Sequence, residues 1–116
     1  MLSVILDHDF DHDVLRGLKI LLPGLDFTTA QLEGLDRVHD LKLLLWCARA
    51  GRHLLTHDEN SMPRYFGQLL GRGETLTGVF VVPRRMSMRQ MIDELNLVIG
   101  ATESSEWTNI LKILPL

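Results

Sequence analysis

Three short, nearly continuous apolar runs recur along the chain: Leu2–Leu6 (LSVIL), His53–Thr56 (HLLT) and Gly78–Val82 (GVFVV). Each is too short to be a core helix, and none alternates apolar with polar residues. Such runs fit strands covered on both faces. The stretches between them read differently. Val14, Leu15, Leu18, Leu21 and Leu22 fall at helical spacing behind Asp11-His12-Asp13, which offers an N-cap, and Pro23-Gly24 stops that helix. Strands that alternate with helices imply a mostly parallel sheet with helices on both faces and right-handed crossovers.

The remaining segments extend the alternation. Leu25–Thr29 reads as a second strand and Gln31–Val38 as a polar connection. Asp40–Ala50 is a heavily apolar helix closed by Gly51. After the loop His57–Ser61, a helix starts at Ser61 with Pro63 just inside it. Tyr65, Phe66, Leu69 and Leu70 form its apolar face, and Gly71-Arg72-Gly73 ends it. Met86–Ile99 has helical period, with Met88, Met91, Ile92, Leu95 and Val98 on one side. Trp107–Leu114 reads as a last strand, followed by Pro115, which suits an edge or an end. No repeat, low-complexity segment or linker divides the chain, and 116 residues make one domain, 1–116.

Charge then bears on function. The net charge of −3 provides no global basic field for nucleic acid or membrane. Cys47 is the only cysteine, which excludes an internal disulfide and a cysteine-rich zinc site. The sequence reads without a signal peptide or a span long enough for a bilayer, so a cytoplasmic protein is expected.

The acids are distributed unevenly. Leu6–Asp13 (LDHDFDHD) holds four aspartates and two histidines immediately after the first apolar run. In open parallel sheets, ligands bind beyond the carboxyl ends of the strands. Asp7 and Asp9 follow the first strand, Asp58 follows the third, and Asp40 opens the helix leading into the third. Clustered carboxylates repel unless a cation neutralises them. Magnesium suits such a rim, because it takes hard oxygen ligands. One or two such ions, about 4 Å apart in two-metal sites, assist in-line displacement at phosphorus. The residues therefore suggest metal-assisted phosphodiester hydrolysis. Singly, each acid has an ordinary alternative: Asp40, Asp11 or Asp13 as a helix cap, and Asp58 as loop polarity.

Four of the five histidines precede an aspartate: His8, His12, His39 and His57. His–Asp phosphohydrolases use such doublets on metals, but those enzymes are all-helical and this chain alternates. His8, between two candidate metal acids, is the candidate extra ligand, and an imidazole shifts the site toward manganese or zinc. Arg84 and Arg85 follow the fourth strand, and Arg64 follows Met62-Pro63. All three are candidates for contacts to nucleic-acid phosphates, with a solvated loop as the alternative. Trp46, Cys47 and the methionines of the last helix read as core.

ILDHDFD, THDENSMP, GVFVVP and EWTNILKILPL together resemble the small bacterial PIN-like proteins, relatives of the PIN-domain ribonucleases. The likeness runs over nearly the whole chain, and its most specific parts are the LDxDFD opening and the THD loop. It implies a three-layer α/β/α sandwich with a central, mostly parallel sheet, and an acidic site using Mg2+ or Mn2+. It also implies endoribonuclease cleavage of single-stranded RNA, with many relatives being toxins paired with an antitoxin. Under the resemblance Asp7, Asp40 and Asp58 are the catalytic metal-holding acids and Asp9 is a further metal acid. The chain departs from the pattern at His8, where relatives often have Glu, and at Asn60-Ser61, where others carry a second acid.

Two other readings compete. A receiver-like phosphoacceptor also has an acidic pair after its first strand and the acceptor Asp after its third. It needs a hydroxyl residue ending the fourth strand and Lys ending the fifth, where this chain has Val82-Pro83 and an internal Lys112. The other is a non-catalytic PIN-like module kept for binding a partner. The apolar end Ile110–Leu116 either pairs across a homodimer or closes the monomer.

Overall fold

A computed structural model describes all residues, 1–116. Five strands form one wholly parallel sheet: β1 (Val4–Leu6), β2 (Phe27–Thr29), β3 (His53–Thr56), β4 (Val79–Val81) and β5 (Leu111–Ile113). Their spatial order is β2-β1-β3-β4-β5. Four helices connect them: α1 (His12–Leu21), α2 (Asp40–Ala50), α3 (Ser61–Gly71) and α4 (Met88–Ala101). The chain is thus a three-layer α/β/α sandwich.

The strand pleat sorts the core into two layers. Val4, Leu6, Leu55, Phe80 and Val82 join Leu15, Leu18, Leu95 and Val98 under α1 and α4. Ile5, Leu54, Val79 and Val81 point the other way, onto Leu43, Leu44, Phe66 and Leu69 of α2 and α3. Every residue of β1, β3 and β4 is buried, which accounts for the continuous apolar runs that replace an alternating pattern. α1 and α4 touch where Gly17 leaves room for Ile92.

Several local expectations are corrected. The second strand is only Phe27–Thr29, because Leu25 turns back to bond its amide to the Leu22 carbonyl. α4 starts at Met88, since the Ser87 hydroxyl caps it by accepting from the Gln90 amide. Met86 is buried but lies in the preceding turn, where its amide bonds to the Pro83 carbonyl, and Met88 is exposed rather than core. Trp107 is not in a strand. Glu103 and Glu106 form a reciprocal capping box that winds Ser104–Trp107 into a 3-10 helix. The Trp107 indole N–H donates to Thr102 Oγ1 at 2.8 Å, and its ring meets Phe80 edge-on. Trp46 is only half-buried. Its outer side lines a shallow groove of about 360 Å³ with Leu35, Val38 and Leu45.

Candidate metal centre

In a sheet of this order the connections leave β1 and β3 in opposite directions, so the carboxyl ends of β1 and β3 flank the topological switch point. Asp7 leaves β1 there. It is buried, 3% exposed. Its Oδ2 accepts the Thr56 hydroxyl at 2.8 Å, and its Oδ1 accepts the His8 amide at 2.8 Å. The same Thr56 oxygen accepts the Asp58 amide at 3.1 Å. One hydroxyl at the end of β3 therefore joins the acid of β1 to the acid of the next loop. Nothing in the sequence marks Thr56 out, because Thr is an ordinary strand residue.

Ligand atoms of Asp7, His8 and Asp9 lie within 4.8 Å of one another. His8 Nδ1 stands 3.1 Å from Asp7 Oδ1. With Nδ1–H donating to that carboxylate, Nε2 is left to accept, an arrangement that orients histidine ligands of metals. Partial burial alone would lower the His8 pKa. The hydrogen bond to Asp7 and the charges of Asp7, Asp9 and Asp40 outweigh it, and the net shift is upward.

Asp40 opens α2 but does not cap it. His39 is the N-cap, its Nδ1 accepting the Leu41 amide at 3.1 Å. The Asp40 carboxyl is therefore spared for other use. Burial, then the charges of Asp7 and Asp58, push its pKa above the usual carboxylate range, against the lowering effect of His39 and His8. Asp40 therefore lies near enough to Asp7 and Asp58 to feel their charges, while the close group of ligand atoms is Asp7, His8 and Asp9 without Asp40 or Asp58.

Asp58 is more committed. Its Oδ1 accepts the amides of Asn60 and Ser61, each at 2.9 Å, and its Oδ2 accepts that of Met62 at 3.1 Å. It satisfies the first turn of α3, a task that Asn60 leaves undone. Oδ1 is filled by its two amides, and only Oδ2 keeps a lone pair beyond these bonds. Asp11 caps α1 through the Asp13 amide, so LDHDFDHD divides into rim residues and helix start.

The arginines divide as well. Arg84 donates to the Asp9 carbonyl at 3.1 Å and lies 3.6 Å from its carboxylate. Arg85 Nη1 contacts both Glu59 oxygens, at 2.9 and 3.0 Å. Both reach the acidic rim. Arg64 instead stacks over Tyr65. The Gln31 side chain donates to the His8 carbonyl, which brings the connection after β2 to the same edge. Neither surface groove of the molecule touches these acids. One runs along α2 and the other along α4.

The donor set fits a divalent cation. In the Asp7-His8-Asp9 group it consists of hard carboxylate oxygens with one imidazole, and a cation would offset the burial and the neighbouring charges that raise the Asp40 carboxyl. Compared with known proteins, the chain matches no family model, no curated protein and no solved structure.

Proposed function

We propose that this protein is a divalent-metal-dependent endoribonuclease of the PIN-like kind, using Mg2+ or Mn2+ on single-stranded RNA. The carrying observation is the Thr56 hydroxyl, which joins the buried Asp7 carboxylate to the Asp58 loop at the β1/β3 switch point beside the Asp7-His8-Asp9 group, with Asp40 near enough to feel the charges of Asp7 and Asp58. Asp7, Asp40 and Asp58 would hold the metal, with Asp9 and His8 as further ligands. A bound ion supplies charge stabilisation at phosphorus and an acidified water. Thr56 and the His8 amide hold Asp7 in one orientation, so its oxygens need no rearrangement on binding. Arg84 and Arg85 exchange their pairing with Asp9 and Glu59 for phosphate oxygens. A toxin role with an antitoxin partner, residence in the cytoplasm, and pairing of two copies through the exposed Ile110 and Ile113 belong to the same proposal. No helix is long and apolar enough to cross a membrane.

The test is manganese-dependent cleavage of end-labelled single-stranded RNA by the full chain. The wild type cuts, and Asp7→Asn and Asp58→Asn do not. Equal cleavage by both variants removes the assignment.

The strand order favours a second reading, because receivers share it. Against it, the Asp58 oxygens are engaged by three amides, β4 ends in Val81-Val82 without a hydroxyl, and Lys112 lies within β5. Those same amides favour a third reading, the non-catalytic module, in which Asp58 is only a cap. Calorimetry showing no divalent binding would select it.

A further inference from the structure

We infer that His57 is a positioning residue for the acidic rim, which it serves by fixing the Asp7–Asp11 segment to the ends of β3 and β4. The inference rests on the metal-site reading above.

His57 directly follows β3 and is 6% exposed. Its Nδ1 lies 2.7 Å from the Val82 carbonyl, which only accepts, so Nδ1 carries the proton and donates. Its Nε2 accepts the Asp11 amide at 3.2 Å. The two contacts select one neutral tautomer. The ring also stacks on Phe10, centroids 4.3 Å apart and planes within 6°. His57 thus engages three segments: its own β3 exit, the β4 exit, and the loop that carries Asp7, His8 and Asp9.

The geometry at the other end of that loop explains why one ring matters. The Asp7 carbonyl accepts the Phe10 amide at 3.0 Å, closing the segment into a turn. Thr56 holds the start of the turn by the Asp7 carboxylate, and His57 holds its end by the Asp11 amide and the Phe10 ring. Thr56, the last residue of β3, and His57, the next in the chain, therefore clamp both ends of the proposed metal-ligand segment. Arg84 adds a weaker third tie at Asp9, more than half exposed. Partners that orient ligands without touching the ion typically affect metal affinity about 10- to 100-fold.

The substitution His57→Phe keeps an aromatic ring against Phe10 and removes both hydrogen bonds. His57→Gln is a milder companion in case the first variant does not fold. A control must lose stability while leaving the clamp's bonds in place, and Leu95→Ala in α4 serves, because Leu95 is wholly buried and is no partner in the His57 hydrogen bonds or ring stack. Manganese affinity is measured by calorimetry on all four proteins, with amide exchange at Phe10 and Asp11 measured without metal. The expected result is a manganese Kd weaker by about tenfold or more in the His57 variants, faster exchange at Phe10 and Asp11, and an unchanged Kd in Leu95→Ala. Wild-type affinity in the His57 variants overturns the inference and leaves the metal site standing. An equal loss in Leu95→Ala overturns it too, because the effect then follows stability alone. No manganese binding by the wild type overturns the metal reading and takes this inference with it.

Discussion

Asp58 carries two tasks that substitution can separate. As the acceptor for the first amides of α3 it is a cap, and as an anion at the rim it is a candidate ligand. The Asn side chain offers one acceptor oxygen, and its NH2 cannot accept the amide that the other Asp58 oxygen holds, so Asn keeps part of the cap and Ala keeps none. Chemical denaturation should therefore find Asp58→Asn destabilised and Asp58→Ala more so, by about 0.5–2 kcal/mol. Manganese affinity should fall in both. If Asp58→Asn leaves that affinity intact, Asp58 is a cap only. Thr56→Val conserves shape and deletes a buried hydroxyl with two partners. It should cost on the order of 1 kcal/mol and weaken manganese binding, read by denaturation and calorimetry together. Asp7 was legible in the sequence because a carboxylate directly after a buried strand has few ordinary explanations. Thr56, the His39 cap and the His57 clamp were not. A hydroxyl in a strand or a histidine in a loop acquires its role only when distant segments meet.

The elements that set the sheet were legible for a related reason. β1, β3 and β4 are buried on both sides, so their apolar runs carry no competing pattern. The strand expected over Trp107–Leu114 shortens to Leu111–Ile113, because the apolar and β-prone Trp107 and Ile110 mask a local signal just before them, the Glu103/Glu106 capping box. The resulting 3-10 turn covers the start of β3. There His53 is fully buried, with Nε2 2.8 Å from Ser104 Oγ and no partner for Nδ1. Burial holds its pKa below the ordinary 6.5 in the folded chain. As pH falls, the unfolded chain takes up this proton first. The contribution to stability is complete above about 6.5 and is lost as pH drops through the folded value. The raised pKa values of His8 and Asp40 act in the opposite sense, so the His53 contribution is read as a difference: the melting-temperature advantage of the wild type over His53→Gln should shrink as pH drops below about 6.5. A difference that does not change with pH would remove the His53 contribution. Gly78 meets the same turn. A Cβ there would stand 2.8 Å from Trp107 Cβ and 2.9 Å from His53 Nδ1. Gly78→Ala should cost about 1–3 kcal/mol in equilibrium unfolding.

At the scale of the whole molecule, two hydrophobic layers hold a rigid parallel sheet whose switch point gathers acids from segments far apart in sequence. The alternation of elements was enough to anticipate the layers and the parallel sheet. The packing at the acidic edge depends on side-chain geometry that no spacing encodes. An acidic rim left to itself opposes folding, as the raised Asp40 carboxyl indicates. A cation bound only by the folded state stabilises it by about 2.7 kcal/mol at 100 times its Kd. For a domain of this size, manganese at that level should raise the melting temperature on the order of 10 °C. Asp7→Asn should abolish the rise. The central claim is that the β1/β3 rim is a divalent-metal site, and anomalous diffraction from crystals grown with manganese tests it most directly. The account predicts an anomalous peak among the carboxylates of Asp7, Asp40 and Asp58. A peak elsewhere, or none at the rim at saturating manganese, would contradict it.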